Sequence, residues 1–206
     1  NYEATAEGAF ASIQYIMRDV QYGYIIRYMH TTGASAFFAL IYLHMFRGMM
    51  YGSYQKPREL LWVLGWITYV LLCALGFTGY VLPWGQMSFW AAQVILSLVG
   101  SIPFFGEELL TWIRGDYLIS GITLNRLFAF HVVLLPLALI AVVFVHILAL
   151  HEVGSNNPDG VDVKKFKDDD GVPLDTKPFF PYDVMHDLYA IGVFLIFFVT
   201  IMFFYP

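Results

Sequence analysis

Four long apolar runs separated by polar connections set out the plan of this chain: residues 27–51, 60–82, 122–150 and 184–205. A helix needs about 20 apolar residues to cross a hydrocarbon layer about 30 Å thick. Each run meets that length, so the pattern predicts four membrane spans. Residues 1–24 are amphipathic but too polar to cross, which predicts a helix lying along the membrane surface ahead of span one. Pro83, which lacks the N–H a helix needs, ends span two. Residues 83–121 are less uniformly apolar, rich in Trp and Phe and broken by Gly and Pro, and read as two short interfacial helices. Residues 152–182, with the run KKFKDDD from Lys164 to Asp170, read as a solvated polar loop. The expected fold class is all-α: one transmembrane helical bundle over 1–206.

Composition narrows the class. Apolar residues make up 59% of the chain and charged residues 13%, the signature of a membrane protein. The net charge of -5, with charges concentrated in the connections, offers no basic surface for nucleic acid. Cys73 is the one cysteine and lies inside span two, so a disulfide framework and a CxxCH haem attachment are both excluded. The chain begins with Asn1 and shows no signal peptide, which suggests part of a longer polypeptide.

The chemistry sits in the histidines. His30 and His44 are fourteen residues apart in span one, and His131 and His146 fifteen apart in span three. Fourteen residues is close to four turns, so both rings leave one helix face, separated by about 21 Å along it. A lone histidine in an apolar run is most simply a core residue bonded to a carbonyl; two matched pairs at membrane depth call for a functional partner. Span two returns the chain, so spans one and three run the same way. His30 then shares a depth with His131, and His44 with His146, an arrangement suited to two non-covalent haems held between spans one and three by paired imidazoles. Lys and Arg number seven after spans one and three (Arg47, Lys56, Arg58, Lys164, Lys165, Lys167, Lys177) against four on the other side (Arg18, Arg27, Arg114, Arg126). This bias puts His44 and His146 nearer the cytoplasmic face.

Two further sets accompany the histidines. Arg27 and Arg47 flank the span-one histidines at three residues, and either snorkel to headgroups or pair with haem propionates. Gly65 and Gly79 stand fourteen apart in span two. Missing side chains there either permit close helix packing or leave room for a flat macrocycle at each level.

The stretches RYMHTTGAS, HMFRG, GYVLPWGQMSFW, TLNRLFAFH and HEVGSNNP, in this order, resemble the signatures of cytochrome b of the cytochrome bc complexes. The resemblance covers nearly the whole chain. It implies quinol oxidation on the positive side of the membrane, with one electron passing to an iron–sulfur protein. The other crosses two b haems to quinone on the negative side, coupled to proton translocation. By resemblance, His30 and His131 hold the low-potential haem, His44 and His146 the high-potential haem, and Arg27 and Arg47 the propionates. Phe77, Tyr80, Val94 and Ile95 match the quinol-oxidation pocket; His151, Ser155 and Asp187 match the quinone-reduction site. Implied partners are an iron–sulfur protein, a cytochrome c-type subunit, the lipid membrane, ubiquinone or ubiquinol as substrate, and a second copy of the complex. The motif variants suggest a bacterial inner membrane. An earlier span with a second glycine pair and a later PEWY region belong to the family and lie outside these residues.

The departures are informative. The mitochondrial members space the span-three ligands by fourteen, and one added residue turns a helix by about 100°. Both rings can face one way only if a π-bulge or wide turn absorbs it, aided by Pro136. Ala91 stands where the family usually has Gly. Fifteen is also the spacing of the plastoquinol-oxidising b-f complexes, the nearest rival, whose members typically carry Arg at the position of His151. A di-haem anchor of a dehydrogenase would need the ligands but not GYVLPWGQMSFW and HEVGSNNP, and a proton-relaying transporter would bind no haem.

Overall fold

The computed structural model describes residues 1–162, 165–174 and 176–205; Lys164, counted in the charge bias and the polar loop, lies outside them. The described residues are helical throughout apart from turns and loops, as expected for the all-α class. The helices are α1 (Ala9–Arg18), α2 (Gly23–Met50), α3 (Glu59–Val81), α4 (Gln86–Gly100), α5 (Gly106–Arg114), α6 (Gly121–Ala129), α7 (Leu135–Val153) and α8 (Val184–Phe204). A π-helical segment, Phe130–Leu134, joins α6 to α7 into one continuous helix.

Among the described residues, three helices are long and apolar enough to cross a membrane: Glu59–Val81, Gly121–Val153 and Phe179–Phe204. The first turn of the last is irregular, with Phe180 extended at φ -101° and ψ 133°. The 28 residues of α2 suffice in length, yet Arg27, His30, His44 and Arg47 lower its hydropathy and it does not join that set. Its start also shifts from the expected Arg27 to Gly23. Gly23 is fully enclosed: a Cβ there would run into the Ile16 carbonyl, so only glycine lets α2 begin directly behind α1.

The chain forms two compact units, Asn1–Ile25 with Val63–Ile147, and Ile26–Trp62 with Leu148 onward. In the first, the core is a cluster of Ala9, Val81, Ala92, Leu96, Leu110, Ile119, Leu124 and Leu127. It gathers the end of α3 and the start of α6 with α1, α4 and α5. The buried hydroxyls of Thr78, Ser88 and Thr123 are each paired with a backbone carbonyl, as burial demands. Ser120 caps α6, and Thr123, itself fully buried, accepts from the Ser120 N–H at 3.1 Å and donates to the Arg114 carbonyl at 2.8 Å. Tyr2 donates to the Leu82 carbonyl at 2.8 Å, and burial pushes its phenol up to about 12. Away from this cluster the apolar side chains of the long helix stay exposed, Leu137 at 63% and Ile140 at 66%, as suits a surface solvated by lipid.

In the second unit, the connection between α2 and α3 is knitted to the end of α7. Gly154, at φ +78°, closes α7 with its N–H on the Leu150 carbonyl at 2.7 Å. The carboxamide of Asn156 donates to the Tyr51 carbonyl at 2.7 Å and the Ser53 hydroxyl at 3.3 Å. Within the polar loop, Asp168 and Val172 close a tight turn.

Candidate haem and quinone sites

The π segment sits where the fifteen-residue spacing requires it. The N–H of Leu135 reaches back five residues to the Phe130 carbonyl, so one extra residue is taken up around His131. Pro136 follows directly, has no N–H to donate, and needs clearance from the preceding turn. The wide turn provides it. The expected π-bulge is therefore present, placed at His131 itself.

His131 and His146 each face a glycine of α3. A Cβ on Gly79 would stand 2.9 Å from Nδ1 and 3.1 Å from Nε2 of His131, closer than real side chains pack. A Cβ on Gly65 would stand 3.2 Å from Cε1 of His146. The two glycines thus mark two levels along an antiparallel helix pair, matched to the two histidines. At the upper level Nδ1 of His131 lies 3.0 Å from the Leu75 carbonyl and 3.4 Å from the Thr78 hydroxyl. A carbonyl can only accept, so Nδ1 carries the proton and Nε2 is left with its lone pair, the form in which imidazole ligates a metal.

On α2, in the other unit, Arg47 Nη2 donates to Nδ1 of His44 at 3.1 Å. A guanidinium has no lone pair to offer, so here Nδ1 accepts and the ring proton lies on Nε2. His30 is exposed and Arg27 half-buried on the same helix.

The four residues matched to quinol oxidation lie on α3 and α4. Phe77 packs against the core cluster, while Tyr80, Val94 and Ile95 are exposed. The Ser88 hydroxyl, donating to the Tyr80 carbonyl at 2.9 Å, fastens the start of α4 beside the end of α3. The residues matched to quinone reduction lie in the second unit: His151 in the last turn of α7, Ser155 just beyond it and Asp187 in the first turn of α8, all exposed. The Leu75 carbonyl behind His131 and the Arg58 and Asn156 contacts around Ser155 were not singled out by sequence reasoning. The first is backbone and leaves no residue-type signal; Asn156 lay within HEVGSNNP, and Arg58 had been counted only as a charge.

A porphyrin brings four of an iron's ligands, so the protein owes only axial ones. His131, oriented by the Leu75 carbonyl and facing Gly79, and His146, facing Gly65, are imidazoles set against a missing side chain, and such residues fit haem. These features define an integral membrane, all-α chain of the haem-ligating kind. A family model described as Cytochrome b/b6/petB matches residues 1–154. The chain is 55% identical over 210 residues to cytochrome b of Allochromatium vinosum, covering 100% of this chain and 50% of that protein. It is 49% identical over 206 residues to cytochrome b of Rhodospirillum rubrum, covering 100% of this chain and 49% of that one. A solved structure titled "Hyperthermophilic respiratory Complex III" superposes with a TM-score of 0.89 at 36% identity, covering 98% of this chain and 53% of that chain. The chain belongs to the cytochrome b family. It spans about half the length of these cytochrome b relatives.

Proposed function

We propose that these residues form the haem-binding membrane domain of a quinol:cytochrome c oxidoreductase, crossing a bacterial inner membrane four times with α2 as span one. The observation that carries the reading is His131, set against Gly79 with Nδ1 fixed on the Leu75 carbonyl. The similarity to cytochrome b proteins and to a respiratory complex III structure supports it. When bound, two b-type haems would supply one-electron carriers.

His30 and His131 would hold the low-potential group and His44 and His146 the high-potential one. Gly65 and Gly79 keep α3 flat beside them, and Arg27 and Arg47 bind propionates. With Arg47 paired to a propionate instead, Nδ1 of His44 would be able to carry the ring proton and Nε2 would be the nitrogen available to a metal. Phe77, Tyr80, Val94 and Ile95 line an apolar pocket for quinol oxidation on the positive side. On the negative side His151 and Asp187 hydrogen-bond the two carbonyls of ubiquinone with Ser155 beside them, and the imidazole relays protons taken up on reduction. Electrons leave through an iron–sulfur protein and a cytochrome c-type subunit, in a complex assembled as a dimer.

A redox titration of the purified protein, with and without an inhibitor of the reducing site, tests this. Two b components, one of them shifted by the inhibitor, are expected. A single b component, or a spectrum with no b haem, rejects the reading.

A further inference from the structure

The connection between α2 and α3 does more than turn the chain. Arg58 precedes the first residue of α3, its backbone held by Gln55 and Trp62: its N–H donates to the Gln55 carbonyl at 2.8 Å and its carbonyl accepts from Trp62 at 3.0 Å. From this fixed root its guanidinium reaches almost a hundred residues along the chain. Nε donates to the Gly154 carbonyl at 3.0 Å and Nη2 to the Ser155 carbonyl at 3.1 Å. From the opposite side of Ser155, Asn156 donates to the Tyr51 carbonyl at 2.7 Å and the Ser53 hydroxyl at 3.3 Å. The backbone of Ser155 is thereby held before and after, while its side chain stays exposed. His151 sits one turn earlier on the helix that this clamp terminates.

We propose that Arg58 and Asn156 are positioning residues of the quinone-reducing site, holding the His151–Ser155 segment in the geometry that accepts the quinone. The proposal rests on the assignment of that site given above. Two carbonyls turned toward one planar fork require an arginine; a lysine at position 58 keeps the positive charge at the end of α7 but bonds one carbonyl at a time. A role limited to balancing the helix end is satisfied by lysine, whereas a positioning role is not.

The test uses haem-loaded protein purified from membranes with its accompanying subunits. The b haems are reduced beforehand, a short-chain ubiquinone is added, and reoxidation is followed optically across quinone concentrations. Misplacing a binding group by a fraction of an ångström is expected to raise the half-saturating quinone concentration about tenfold in Arg58→Met and in Asn156→Leu, with a smaller change in limiting rate. Arg58→Lys falls between Arg58→Met and the unaltered protein. Unchanged half-saturation, or full recovery by Arg58→Lys, overturns the proposal. Should Arg58→Met not accumulate with haem, Arg58→Lys and Asn156→Leu decide by the same criteria. His151→Leu separates the two levels of argument. If it leaves reoxidation unaltered, the site assignment fails and the clamp with it; if it acts while the clamp variants do not, the clamp alone fails.

Discussion

Gly79→Ala presses a methyl group directly onto the ring of His131. The new Cβ stands 2.9 Å from Nδ1 of His131 and 3.1 Å from Nε2, with Cε1 nearer still. Ordinary van der Waals contact requires Nδ1 alone to retreat by about 0.5 Å. Its 3.0 Å bond to the Leu75 carbonyl, one turn back on the same helix, is then stretched to the edge of hydrogen-bonding range. The ring loses the contact that fixes its tautomer while Nε2 moves off its line. Overpacking of this kind costs about 1–3 kcal/mol, and the lost hydrogen bond about 1 kcal/mol. Gly65→Ala meets His146 at Cε1, 3.2 Å, with Nδ1 at an ordinary 3.8 Å, and a shift of a few tenths of an ångström clears it. Optical redox titration of the two variants should therefore differ. Gly79→Ala depletes or shifts the b component assigned to His131, and Gly65→Ala leaves both components nearly intact. Equal losses in both variants, or a greater loss in Gly65→Ala, would refute the argument that the glycines act through the histidine rings at these two distances.

The remaining predictions concern local structure. Deleting Val133 restores a fourteen-residue spacing, and a regular helix should replace the π turn with both b components retained; loss of the His131 component alone would show that the wide turn has a purpose beyond absorbing one residue. Thr123→Val leaves the Ser120 N–H and the Arg114 carbonyl without their buried partner, and thermal unfolding should register a loss of about 2–3 kcal/mol. Tyr2 has its phenol raised from 10.0 to about 12 by burial, so the folded state holds the proton longer than the unfolded one. Its contribution is complete below pH 10 and disappears as pH climbs toward 12. Alkaline unfolding curves of Tyr2→Phe should lack that decline, and curves that superpose on the unaltered protein's after correction for its base stability would contradict the assignment.

Much of this protein was written in its hydropathy and spacing. Runs of apolar residues long enough to cross a bilayer must be helices, because backbone groups in hydrocarbon can pair only within the segment. Element order, the break at Pro83 and the polar loop followed. The fifteen-residue gap between His131 and His146 even required a departure from regular helix, because residue count fixes angle along a rod. Position along one helix is arithmetic and needs no knowledge of neighbours.

Contacts between helices are different, since they depend on which faces meet and on backbone atoms that carry no residue-type signal. Only the folded chain decided that His131 turns its Nδ1 to Leu75, that Gly79 lies under the ring, and that Arg58 spans from the start of α3 to Gly154 and Ser155. Sequence had made Arg58 one charge in a topology count. Its fork became a clamp because two carbonyls at a helix end, unable to pair within that helix, came to rest within its reach.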